Sequence, residues 1–188
     1  MKMKEPYLVR IAPFGMDLIM SAYSLAAPLL LIDLNANPVE LGALGSIPSL
    51  VHMSLAHRMG PLSDRFGRRR PILTAPLLLM VSCLIVVLVR RVHVILILSA
   101  LNGLCLSLFW PPFQAWVAEN PKPSGLARDI GTLNMAWTAS YLIGPILSGI
   151  LFGLHPKLPF LFAGTFSLLL FILCYTSLFD RETATAHQ

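Results

Sequence analysis

Gly60-Pro61-Leu62-Ser63-Asp64-Arg65-Phe66-Gly67-Arg68-Arg69-Arg70 is a charged, glycine-punctuated stretch wedged between two apolar runs. One run covers residues 39–56; the other, residues 72–89, holds eighteen residues without a charge. A helix rising ~1.5 Å per residue needs about that length to cross ~30 Å of hydrocarbon. The pattern is that of two membrane helices joined by a loop on one face of a bilayer. Within the loop, Gly60 and Gly67 allow a sharp turn or the close approach of a neighbouring helix. Asp64 is expected just before a helix, where its carboxylate can cap exposed backbone N–H groups. The arginines can pair with Asp64, with Glu119 or Asp129, or with anionic lipid headgroups.

Composition points the same way. Hydrophobic residues make up 56% of the 188-residue chain and charged residues 12%, with a mean hydropathy of +0.73. An ordinary soluble domain carries about 25% charged residues, so this is the composition of a multi-span membrane protein. The net charge of +5 does not imply nucleic acid as a partner, because the basic residues gather at the ends of apolar runs instead of forming one face.

Six spans are expected, at residues 11–32, 39–56, 72–89, 94–117, 130–154 and 158–179. With the N-terminus in the cytoplasm, Lys2, Lys4, Arg10, Arg58, Arg65, Arg68, Arg69, Arg70, Lys122, Arg128 and Arg181 fall inside. Only Arg90, Arg91 and Lys157 fall outside. Eleven against three is a strong positive-inside bias. It predicts a multi-pass protein of the cell membrane with both termini cytoplasmic. Residues 1–179 then form a six-span bundle and residues 180–188 begin a cytoplasmic linker or tail. The first apolar stretch is too long for a signal-peptide core and carries Asp17, so it reads as a retained span.

Cys83, Cys105 and Cys174 all lie inside spans, as packing residues and not a disulfide framework. The five histidines are scattered without ligand spacing, and no CxxC, HExxH or GxSxG pattern occurs. Neither enzyme chemistry nor a metal site is expected, and no cofactor. The intramembrane acid is Asp17, on one helical face with Ser21, Ser24 and Pro28. A charge at that depth costs ~2.5–3.5 kcal/mol by insertion scales and tends to face a cavity or a partner. Two readings stand: Asp17 binds a cation or carries a proton, or it sits near the cytoplasmic end, held by Arg10 or interfacial water. In the second span Gly42, Gly45, Ser46 and Ser49 make a small-residue face. His52 there is either hydrogen-bonded packing or a proton carrier.

The loop, spelled G-x-x-x-D-R-x-G-R-R by Gly60, Asp64, Arg65, Gly67, Arg68 and Arg69, resembles the cytoplasmic signature of the major facilitator superfamily of transporters, between their second and third spans. The resemblance covers the whole chain but only half of such a transporter, whose twelve spans form two halves, each of two inverted three-span repeats. It implies an all-α membrane fold and secondary active transport of a small solute by alternating access, proton-coupled and possibly outward. It makes the loop a conformational latch that meets a helix N-terminus of the second half. The expected partners are the lipid bilayer, a small-molecule substrate and a second six-span half, either a C-terminal half or another copy. A non-transporting membrane subunit that pairs with or regulates another transporter is the alternative, and no ATP-binding motif is present to suggest a pump.

In the family the first and fourth spans line the substrate cavity, which makes Asp17, Ser21, Ser24, Asn102 and Gln114 candidates for substrate or proton. Asn134, Thr138 and Tyr141 form a comparable stripe in the fifth span. Aligned on Gly103, the fourth span resembles the exporter pattern R-x-x-Q-G with Ser99 at the arginine position and Asn102 at the glutamine position. Trp110-Pro111-Pro112 is a packed kink or a substrate contact. Gly131, Ser140, Gly144, Pro145, Ser148 and Gly149 resemble the antiporter motif G-x8-G-x3-G-P-x-x-G-G with serine at two of its glycines. Small residues at that spacing also serve close helix packing. The third and sixth spans, almost purely apolar, are expected to face lipid. In a lone half, Asp17, Asn102 and Asn134 are expected to face lipid as well.

Overall fold

The computed structural model of the chain describes the backbone of residues 5–119 and 125–185, and the side chains of 11–119 and 125–176 apart from Phe66 and Leu126. Six helices follow one another: α1 (Glu5–Asp33), α2 (Pro38–Phe66), α3 (Arg69–Leu88), α4 (Val92–Glu119), α5 (Leu126–Leu154) and α6 (Leu158–Thr185). Each contains a stretch long and apolar enough to cross a membrane. In hydrocarbon only a helix or a closed barrel satisfies every backbone N–H and C=O, which is why apolar runs of this length become helices despite their prolines. Pro13 and Pro28 lie inside α1, Pro48 and Pro61 inside α2, and Pro145 inside α5.

The turns are built from local chemistry. α1 ends in a Schellman arrangement: Ala36 N–H donates to Leu31 O (2.9 Å) and Asn35 N–H to Ile32 O (3.0 Å), with Asn35 at φ +57°. α2 begins with a capping box, in which Asn37 Oδ1 accepts from Glu40 N–H (3.0 Å) and the Glu40 carboxylate accepts from Asn37 N–H (2.8 Å). Gly67, at φ +89°, makes the tight turn from α2 into α3.

Packing follows an internal symmetry. α1 packs along α5 as α4 packs along α2; α6 packs on α1 as α3 packs on α4; and α3 packs on α6. Exchanging the first three helices for the last three maps this pattern onto itself. Three being odd, the second repeat enters the membrane from the opposite side, so the repeats are inverted. This is the arrangement expected of half a major facilitator fold. α1 is its most enclosed helix, with Ala12, Met16, Ile19, Ala22, Ala26 and Leu31 fully buried.

Two features depart from expectation. α3 and α6 do turn apolar side chains such as Leu84, Leu88 and Leu169 outward, but α2 and α5 are the least covered helices. α3 and α6 pack on each other and on α4 and α1 respectively, whereas α2 leans chiefly on α4 and α5 chiefly on α1. Moreover, α2 continues ten residues beyond the apolar run, to Phe66, and α6 continues to Thr185. Hydropathy marks where hydrocarbon ends, but a helix leaving the bilayer keeps its backbone hydrogen bonds.

Candidate functional site

A cavity of about 500 Å³ opens between α1, α2 and α4, with Tyr141 of α5 at its edge. Much of its wall is apolar: Met20, Ala27, Leu41, Leu44 and Leu106. Tyr23, Ser24, Ser49, His52, Ser99 and Asn102 add polar groups.

Two tight helix crossings frame it. At the α2–α4 crossing, Gly103 lies against the backbone of Pro48; a Cβ there would stand 2.8 Å from Pro48 Cα. One turn along α4, Ser107 Oγ is 3.0 Å from His52 Nδ1 and within reach of Gly103 O at 3.1 Å. This crossing holds the imidazole in the cavity wall. At the α1–α5 crossing, Gly144 is pressed onto the Ser21 side chain and the Ala22 backbone. Ser21 Oγ donates to Ser140 O (3.0 Å), Ser140 Oγ to Phe14 O (2.8 Å) and Ser148 Oγ to Ala22 O (2.7 Å). Ser140, Gly144 and Ser148 thus stand at four-residue spacing along one seam, where small side chains let two backbones meet. Gly131, by contrast, has open space around it.

Asp17 is 1% exposed, and its Oδ2 has no hydrogen-bond partner among the described residues. It does not line the cavity. The Trp110 side chain of α4 is within hydrogen-bonding reach of its carboxyl group. Asn102 is 6% exposed and lines the cavity. The expectation that Asp17, Asn102 and Asn134 would all face lipid in a lone half therefore holds only for Asn134, which is exposed. Both other side chains are enclosed within the half because α1 sits at its centre.

The structure brings Ser24, Asn102 and Tyr141 together at one cavity. Ser21 lies in the α1–α5 seam instead. Gln114, Asn134 and Thr138 are exposed outside the cavity, and Thr138 Oγ1 bonds Asn134 O of its own helix (2.9 Å). Sequence reasoning missed Tyr23. Its signal was the row Met20, Tyr23, Ala27 at three- and four-residue spacing, beside the polar row it did follow.

At the other end, the stretch from Gly60 to Phe66 belongs to α2, so only Gly67 and Arg68 stand between helices. Asp64 is one turn from the end of α2 and does not cap α3, whose start at Arg68 has no side-chain cap. Its carboxylate instead accepts from Arg68 Nη2 (2.9 Å), and the same nitrogen bonds Glu119 at the end of α4. The Arg69 guanidinium lies over the Tyr175 ring of α6, 5.3 Å from its centroid. Arg65 is exposed. Cys83, Cys105 and Cys174 are free and buried. Among the described residues no group of acids, histidines and cysteines is placed to hold a metal.

Six helices long and apolar enough to cross a membrane, arranged as two inverted three-helix repeats around a cavity, with a basic turn between the second and third, define a multi-span membrane bundle. The family model of the Major Facilitator Superfamily matches residues 11–188, and the chain belongs to that family. It is similar to Multidrug resistance protein 1 of Bacillus subtilis, 26% identical over 161 residues, which are 86% of this chain and 41% of that protein. It is also similar to Quinolone resistance protein NorA of Staphylococcus aureus, 23% identical over 175 residues, 92% of this chain and 45% of that one. The chain spans less than half the length of these relatives.

Proposed function

We propose that the chain is the N-terminal half of a proton-coupled exporter of small amphipathic organic compounds, working by alternating access. The observation that carries this reading is the cavity between α1, α2 and α4, apolar along much of its wall, with the enclosed Asp17 carboxyl group nearby. An apolar cavity with a few convergent polar groups suits an organic solute. Export is favoured by the names of the two relatives, which are resistance proteins. A second six-span half would cover the exposed faces of α2 and α5 and close the cavity. The excess of basic residues supports a cytoplasmic position for both termini and the α2–α3 turn. The Asp64–Arg68–Glu119 link then serves as a latch there, and Asp17 as the group that takes up a proton or a cationic substrate.

The test is transport by proteoliposomes loaded with a fluorescent amphipathic dye under an imposed pH gradient, with the chain alone and with a six-span second half. Dye movement that follows the gradient only when both halves are present is the expected result. No movement under either condition overturns the proposal.

One observation favours a second reading, a non-transporting membrane subunit. The bundle encloses Asp17 and Asn102 without help from another half, which suits a free-standing partner. That reading predicts a complex with an intact transporter whose rate the chain alters.

A further inference from the structure

His52 of α2 lines the cavity of about 500 Å³ with only one of its two ring nitrogens engaged. Nδ1 lies 3.0 Å from Ser107 Oγ across the α2–α4 crossing. Nε2 has no hydrogen-bond partner among the described residues. It is not one of the molecule's enclosed unmatched atoms either, so it stays open to the cavity. Other polar groups of the wall are taken. Ser24 Oγ donates to Ser21 O (2.8 Å), Ser49 Oγ to Gly45 O (3.1 Å) and Ser99 Oγ to Leu96 O (2.7 Å). Tyr23 Oη and Asn102 Oδ1 are enclosed, out of reach of a solute.

The donors around the ring place its proton. The Ser107 hydroxyl has His52 Nδ1 at 3.0 Å, Gly103 O at 3.1 Å and His52 O at 3.4 Å, and one proton to give. With the ring proton on Nδ1, the ring donates to Ser107 Oγ and the hydroxyl proton goes to Gly103 O. Both contacts are then hydrogen bonds. With the ring proton on Nε2, the hydroxyl serves one contact and forfeits the other. The first arrangement makes more bonds, and it leaves a bare lone pair on Nε2 facing the cavity. The close contact of Gly103 with the Pro48 backbone holds the two helices in register, and with them the ring.

We propose that His52 Nε2 is a hydrogen-bond acceptor of the cavity and selects organic solutes that carry an N–H donor on an apolar body. This rests on the reading of the cavity as the substrate site. The solute N–H donates to Nε2 while its apolar body lies against Met20, Leu41, Leu44 and Leu106. A solute without the donor drives water from Nε2 and puts nothing in its place, so it binds more weakly. Ser107 does not line the cavity. It is a positioning residue that keeps the ring proton on Nδ1.

The test uses indole, which carries one N–H, and 1-methylindole, in which a methyl group replaces that hydrogen. Their affinities for the full chain in lipid nanodiscs are measured by saturation-transfer NMR, with empty nanodiscs as the blank. Measurements are made at about pH 8.5, where an imidazole is ordinarily neutral. The ratio of the two affinities is compared between wild type and His52→Asn, which cancels the extra methyl group and any partitioning into lipid. Asparagine keeps an N–H able to reach Ser107 but has no atom where Nε2 stands. The ratio should favour indole about fivefold more in wild type than in the variant, the worth of one neutral hydrogen bond. Ser107→Ala frees the ring proton to move and should shift the ratio in the same direction. If His52→Asn melts below wild type, Ser107→Ala on the opposite helix decides the matter. The same ratio in wild type and both variants, or a ratio that rises in them, overturns the acceptor while the cavity reading stands. No saturable binding of either probe to the wild-type chain overturns both.

Discussion

At the scale of single residues, the structure gives two acids opposite surroundings. Asp64 is exposed and salt-bridged; Asp17 is enclosed and carries an unpartnered oxygen. Replacing Asp17 by asparagine keeps the shape and removes a group that is costly to ionise out of water. Asp17→Asn should leave insertion intact, hold or raise the melting temperature in detergent, and abolish gradient-driven dye movement in the assembled transporter. Wild-type transport in that variant would return Asp17 to a structural role. Arg68 is a different case, because its guanidinium reaches both Asp64 and Glu119 from one position. Both carboxylates bond one nitrogen, Nη2, and a lysine ammonium also carries several N–H donors at one point. Arg68→Lys should therefore keep more of the tie between the α2–α3 turn and α4 than Arg68→Ala. Faster proteolytic cleavage at that turn in Arg68→Ala than in Arg68→Lys is the expected outcome, and equal cleavage of the two variants would contradict it.

At the scale of helices, stability concentrates at two crossings. Gly103 meets backbone, which cannot move aside as a flexible side chain does. Gly103→Ala should force α4 away from α2 and cost about 1–3 kcal/mol, the usual range for overpacking a close contact. Gly42→Ala on α2, which has open space around it, is the control and should melt as wild type or slightly higher. Equal melting of the two variants would show that the α2–α4 crossing is looser than described. The same comparison explains the fifth helix. Ser140, Gly144 and Ser148 were legible in the sequence as a small-residue row, but which helix they serve follows only from their bonds to Phe14, Ser21 and Ala22 of α1.

At the scale of the whole molecule, the exposed faces of α2 and α5 mix Gly42, Asn134 and Tyr141 with large apolar side chains such as Met53, Met135 and Leu142, and α2 and α5 are the least covered helices of the bundle. The chain on its own is therefore expected to self-associate and to be inactive in transport. Light scattering in mild detergent and a liposome assay check this; a stable monomer that transports would be the contrary result. Orientation is tested separately. A membrane-impermeant thiol reagent on intact cells should label Asn37→Cys and not Arg70→Cys, both positions being exposed. The reverse pattern would invert the topology.

By themselves, the residues determined the class, the number of spans and the family. Hydrocarbon leaves a long apolar run no choice but a helix, and the stretch from Gly60 to Arg70 carries its signature within eleven residues. They also marked Asn102, Tyr141 and Ser24, because a polar side chain inside an apolar run stands out wherever it points. What they left undecided was direction and company. An apolar run does not say where its helix stops beyond the bilayer, so Asp64 could be read as a cap when it lies inside α2. Nor does a stripe on one helix say which neighbour it meets. Asp17 is enclosed, Asn134 is exposed and Tyr23 reaches the cavity because of how α1 sits among α2, α4, α5 and α6, and that arrangement exists only once side chains far apart in the chain have packed together.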